Sequence, residues 1–122
     1  MTGLLGYKKQ LLDRIKEDRR KFEPLILEIE DLFRRSDIHY NEEVINVLLT
    51  EILISSSVDW FKFPSTVSRM KLNIKNTLKM IKLLDEYKVG IVENIKDIAI
   101  RNYEIISNMK SGEIQQRDFI NN

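Results

Sequence analysis

Residues 41–57 read "NEEVINVLLTEILISSS", and no face of this segment is left polar. Asn41 is a residue type that caps a helix, and Glu42 and Glu43 follow it in the first turn, where negative charge meets the positive end of the helix. The run "VINVLLTEILI" is then apolar nearly all round. A helix of that kind is stable in water only when other elements cover it on every side. The three serines at 55–57 compete for backbone hydrogen bonds and stop it. The expectation is a central helix inside an all-α fold.

Working outward, the upstream chain supplies two further helices. Leu4, Leu11, Leu12 and Ile15 recur at helical spacing in a charged segment, which predicts a first helix from about Leu4 to Phe22. Pro24 marks a helix start or a kink, since its ring disfavours a helix interior. After it, "PLILEIEDLFRR" puts Leu25, Ile29, Leu32 and Phe33 on one face. "SDIHYNEE" reads as the connection to the central helix.

Downstream, "FPSTVSRM" opens a further helix, with Pro64 in the first turn or Ser65 as its cap. Val67, Met70, Ile74, Leu78 and Ile81 form one apolar stripe on it, and Leu72, Met80, Leu83 and Tyr87 a second, roughly opposite. Two apolar faces predict a helix sandwiched between neighbours. A stripe resumes through Val89, Val92, Ile95, Ala99, Ile106 and Met109. It is either a continuation of one long helix over 65–110 or the second arm of a hairpin bent near "EYKVG"; Gly90 and compactness favour the hairpin.

Composition agrees with a compact bundle of about five helices in a single domain. The chain has 122 residues, enough for one core and too few for two. Hydrophobic residues are 43% and charged residues 32%, a balance that folds rather than stays disordered. Only four glycines and two prolines interrupt it, too few for the many turns of a strand-rich fold. The bundle is expected over residues 1–112, with 113–122 a frayed or short helical tail after the stop at Gly112. With no cysteine there is no disulfide, thiolate metal site or cysteine nucleophile, and one histidine leaves no zinc site. The composition leans toward a thermophile, and because residues 1–20 hold no apolar run of signal-peptide length and no apolar run is of membrane length, a cytoplasmic, non-spanning protein is expected.

Charge is segmented along the chain. The net charge is +4 over residues 1–22, −7 over 23–59, +6 over 60–84 and −2 over 85–122. The +6 segment, "WFKFPSTVSRMKLNIKNTLKMIKLL", contains no carboxylate and includes the only tryptophan. At about 100° per residue, Lys71, Lys75, Lys79 and Lys82 fall in one narrow strip, with Arg69 elsewhere on the wheel. Like charges at this spacing repel, costing about 0.2–0.5 kcal/mol per adjacent pair, so stability alone does not explain them. Lys62 lies just upstream beside Trp60, Phe61 and Phe63. Lysines follow phosphates with little geometric demand, and an exposed aromatic ring can stack a base. The candidate site is therefore Trp60, as a stacking platform, with Lys62, Phe63, Arg69, Lys71, Lys75, Lys79 and Lys82, for single-stranded nucleic acid or nucleotides. Competing readings are a solvated helix face whose lysine stems cover the core, an acidic protein partner, and neutralisation inside the fold by the −7 segment.

Other constellations are weaker. Arg34 and His39 are spaced R-x4-H, which resembles the nuclease motif of the HEPN family of helical ribonucleases, but the pair straddles a helix end. A loop or capping role suits His39 better. Neighbouring carboxylates at Glu42/Glu43 and Asp85/Glu86 diverge on a helix and make no catalytic pair. No phosphate-binding glycine loop or nucleophile elbow is present. "QQRDFINN", with Gln116 and Phe119, lacks the terminal aromatic pair of a sliding-clamp peptide. The stripe over residues 89–109 suits a partner helix less well than a core.

With its basic–aromatic segment, size and helical composition, the chain resembles the small helix-bundle domain that follows the catalytic domain of archaeal-plasmid primase–polymerases. The similarity covers most of the chain and carries no diagnostic motif; the site residues above are taken from this sequence and not transferred. The resemblance implies a module without chemistry of its own. It would bind single-stranded template and nucleotides such as ATP beside a catalytic primase or polymerase domain in DNA replication. The rival class is a helical protein–protein adaptor, in dimeric form or not, that binds no nucleic acid.

Overall fold

The central helix is present and buried. In the computed structural model, which describes residues 3–56, 59–81 and 90–108, it is α3, Glu42–Ser55. The Asn41 side chain accepts a hydrogen bond from the Val44 N–H at 3.0 Å, capping the helix as its residue type predicts. Ile45, Leu48, Leu49, Ile52 and Leu53 are fully buried. At the other end the Ser55 and Ser56 hydroxyls donate to the Glu51 and Leu53 carbonyls, each at 2.8 Å, and Ser56 leaves the helix in an extended conformation.

Around it stand α1 (Gly3–Glu17), α2 (Glu23–Arg35), α4 (Pro64–Met80) and α5 (Ile91–Arg101), followed by a short helical stretch over residues 103–108. The described residues are thus an all-α bundle with no strand. α3 packs between α1 and α4; α5 lies against α4 on one side and α2 on the other. The first helix is shorter than its sequence suggests. It ends at Glu17, and Arg19–Phe22 form a 3₁₀ turn that inserts Phe22 fully into the core. The same turn lets the Arg19 guanidinium reach the buried Asn46 Oδ1 at 2.6 Å, satisfying a polar group that would otherwise be costly inside the core.

Pro24 sits in the first turn of α2, and Leu25, Ile26, Ile29, Leu32 and Phe33 are buried along its inner face. Burying a side chain of this size contributes about 1.5–3 kcal/mol, so this face supplies roughly 10 kcal/mol before entropy is counted. The Glu28 carboxylate clamps α2 to α5. It accepts two hydrogen bonds from Arg101, at 2.9 and 3.1 Å, and one from the buried Asn102 side chain. Burial alone would raise the Glu28 pKa, but the hydrogen bonds from Asn102 and Arg101 bring it below its usual value.

α4 and α5 are separate helices. α4 is closed at Ile81, and α5 opens after Gly90, whose φ of +100° is a conformation that a side chain would strain. Lys71 meets Glu93 and Phe61 meets Tyr103, two contacts in one antiparallel register, so the hairpin and not the single long helix is formed. Residues 82–89 and the expected tail, 113–122, lie outside the described residues. No described helix is long and apolar enough to cross a membrane.

Candidate nucleic-acid interface

The basic segment is built on a firm entry to α4. Asp59 takes a left-handed conformation, φ 54°, and turns the chain into a 3₁₀ turn over Trp60–Lys62. Pro64 occupies the first position of α4, where its missing N–H leaves no helix hydrogen bond unmade. The Thr66 hydroxyl reaches back to the carbonyls of Trp60 and Phe63, tying turn and helix together.

One of the two apolar stripes on α4 is the core face. Met70, Ile74 and Leu78 are buried, and Val67 and Ile81 pack partly against them. The second stripe is not sandwiched. Leu72 is 55% exposed and Met80 75%, while Leu83 and Tyr87 lie outside the described residues. α3 and α5 cover adjacent sides of the helix, and nothing among the described residues covers its outer side. There Lys75, Lys79 and Arg69 surround Leu72, with Met80 near the helix end.

The strip is interrupted at its first member. Lys71 Nζ lies 2.7 Å from the Glu93 carboxylate in the first turn of α5, and Lys96 binds the other oxygen at 2.8 Å. Hydrogen bonds from Lys71 and then Lys96 pull the Glu93 pKa down to about 2. Lys96 also bonds Asp97, and this contact first, then Glu93, raises its own pKa. Lys62 lies 3.8 Å from Asp59, and both are exposed. Lys82 lies outside the described residues. That leaves Arg69, Lys75 and Lys79, which are exposed and form no ion pair among the described residues.

The acidic segment does not neutralise them. Its carboxylates serve other helices: Glu42 and Glu43 face Arg19 and Lys16, Glu51 holds Lys8 at 3.0 Å, and Glu28 holds Arg101. Half of the ion pairs of the −7 segment thus go to the N-terminal +4 segment, and among the described residues its one ion pair with the +6 segment is the local Asp59–Lys62.

Trp60 is not the stacking platform that its sequence context suggests. The 3₁₀ turn directs the indole inward, where it is 1% exposed and belongs to the core. Its Nε1–H finds no acceptor among the described residues. The open rings are Phe63, 54% exposed, and Tyr103, 38% exposed, the latter 4.8 Å from Phe61 between ring centroids. Tyr103 and the Glu93 counter-ion escape a reading of the sequence because each lies more than twenty residues from its partner. Only the register of the α4–α5 hairpin brings them together.

Two other surface features lie apart from α4. Arg34 and His39 do line one shallow pocket of about 270 Å³, with Asp37, Ile38 and Tyr40. Tyr40 is turned toward Glu30, its hydroxyl donating at 3.0 Å. Burial first, and this bond next, raise the Tyr40 pKa. An open groove lined by Arg19, Arg20, Glu23, Ile26, Leu27 and Glu30 carries mixed charge. Among the described residues no cluster of histidine and carboxylate groups could hold a metal ion. Compared with protein-family models, with curated proteins and with solved structures, the chain matches none significantly.

Proposed function

We propose that this chain is a non-catalytic module that binds single-stranded nucleic acid and nucleotide phosphates on the outer face of α4. The observation that supports it is the set of three exposed cations, Arg69, Lys75 and Lys79, without a carboxylate partner among the described residues. Elsewhere in the bundle Lys8, Arg19, Arg35, Lys96 and Arg101 hold carboxylates, and the other exposed cations without an ion pair among the described residues, Lys9, Arg20 and Arg34, lie on three different elements rather than on one helix. Ten residues of helix separate the first of the three from the last, about 15 Å, a span that several phosphates of an extended strand can follow. An accessory role beside a primase or polymerase domain is the place this binding would take if the resemblance to the primase–polymerase bundle holds.

The test is fluorescence anisotropy of a labelled single-stranded oligonucleotide at low and moderate salt, with ATP as competitor. Saturable binding that weakens steeply with salt is expected, because phosphate neutralisation releases counter-ions. Absent or salt-insensitive binding would sink the proposal.

Leu72 and Met80 favour a second reading, a helical protein–protein adaptor. An exposed apolar pair on a helix face suits a partner surface. That reading expects a solution mass above 14.5 kDa or a helical protein partner, and no nucleic-acid binding.

A further inference from the structure

At the N-terminal end of α4 the aromatic side chains form a shelf rather than a scatter. Phe61 stands edge-on to Trp60, ring centroids 6.0 Å apart and planes at 89°, so the buried indole fixes it from behind. Tyr103 leans on Phe61 at 4.8 Å and 47°, an arrangement favourable for aromatic pairs, and keeps more than a third of its own surface open. The Lys62 ammonium lies 6.0 Å from the Phe61 ring centre. Phe63, more than half exposed, follows on the same turn. The chain spaces Phe61 and Tyr103 far apart; the antiparallel α4–α5 register joins them at the end of the helix that carries Arg69.

We propose that the Phe61–Tyr103 pair with Lys62 is a base-stacking subsite, and that it makes the module select single-stranded over duplex nucleic acid. The inference rests on the α4 phosphate track described above. Phosphates alone do not distinguish the two forms, because both carry them. A ring held at the surface does: it can take the face of an unpaired base, whereas in a duplex both faces of each base are already stacked. Trp60 holds the shelf rigid, so little side-chain freedom is lost when a base lands on it. Lys62 lies over the Phe61 ring and 3.8 Å from Asp59, an exposed pair that is weak in water, so its ammonium can turn to the adjoining phosphate when a base stacks on Tyr103.

The experiment compares the full chain with Tyr103→Leu and Tyr103→Phe, using labelled oligo(dT) and a duplex of equal length at one low salt concentration. Tyr103→Leu should weaken oligo(dT) binding by about 5- to 150-fold, the range for loss of one stacked base, and leave duplex affinity unchanged. Tyr103→Phe, which keeps the ring, should bind as the parent does. Unchanged oligo(dT) affinity in Tyr103→Leu overturns the subsite and leaves the phosphate track standing. Equal weakening toward both ligands, with a lowered melting temperature, also overturns it by showing a structural role. If the parent chain binds neither ligand, the phosphate track fails first, and the subsite with it.

Discussion

Replacing Arg69, Lys75 and Lys79 together by glutamine separates a binding role for these cations from a structural one. All three are exposed and make no ion pair among the described residues, so their loss should leave packing untouched. Lys75 and Lys79 are like charges four residues apart, a pair that costs about 0.2–0.5 kcal/mol, so neutralising them should stabilise α4 by about that amount. The expected melting temperature is equal to the parent's or about 1–2 °C higher. Binding should change in the opposite direction. Each phosphate contact to a single strand contributes about 0.7 to the log–log salt slope, so removing three should flatten that slope by about 2. Over a fourfold rise in salt, the parent should then lose about 20-fold more affinity than the variant. Titrations of labelled oligo(dT) at several salt concentrations, beside thermal unfolding followed by circular dichroism, read both quantities. A variant that binds with an unchanged slope refutes the assignment. A variant that melts several degrees lower shows that these side chains hold the fold.

Three further variants carry four expected outcomes. Glu93→Gln should remove part of the acid sensitivity of the fold. Glu93 ionises near 2 in the native state against 4.5 ordinarily, so its contribution is present above about 4.5 and is lost as pH falls toward 2; acid titrations that superimpose for parent and variant would contradict the Lys71 and Lys96 contacts. The same change frees Lys71 and should steepen the salt slope of binding by about 0.7. Trp60→Ala should cost about 3–5 kcal/mol in urea unfolding, as for other large buried aromatics, and a loss below about 1 kcal/mol would place the indole outside the core. Asn41→Ala should cost about 1 kcal/mol by removing the cap on α3, measured the same way.

Much of the architecture was legible in the sequence because it depends on local rules. The all-round apolar run of α3, its Asn41 cap and its serine stop, Pro24 and Pro64 at helix starts, and the Met70–Ile74–Leu78 stripe follow from spacing and backbone chemistry that neighbours in sequence supply. The break after Glu17 was hidden, because Arg19–Phe22 turn tightly only when Phe22 has a core to enter and Arg19 has Asn46 to meet. The second stripe on α4 misled for a related reason. Apolar residues state that burial is favourable, but only packing decides which face receives a neighbour, and Leu72 and Met80 receive none among the described residues.

The candidate site divides in the same way. Helical segments and a carboxylate-free basic stretch are readable from the residues alone, because helix periodicity and charge are properties of consecutive residues. Tertiary structure alone decided which of those charges stay available. Glu93 takes Lys71 from a helix away in sequence, Glu42, Glu43 and Glu51 turn to the N-terminal basic segment, and Trp60 goes inward while Tyr103 is brought to the surface beside Phe61. Ion pairs and ring contacts act over a few ångströms, and what lies within that range is fixed by the register of packed helices, which no local pattern encodes.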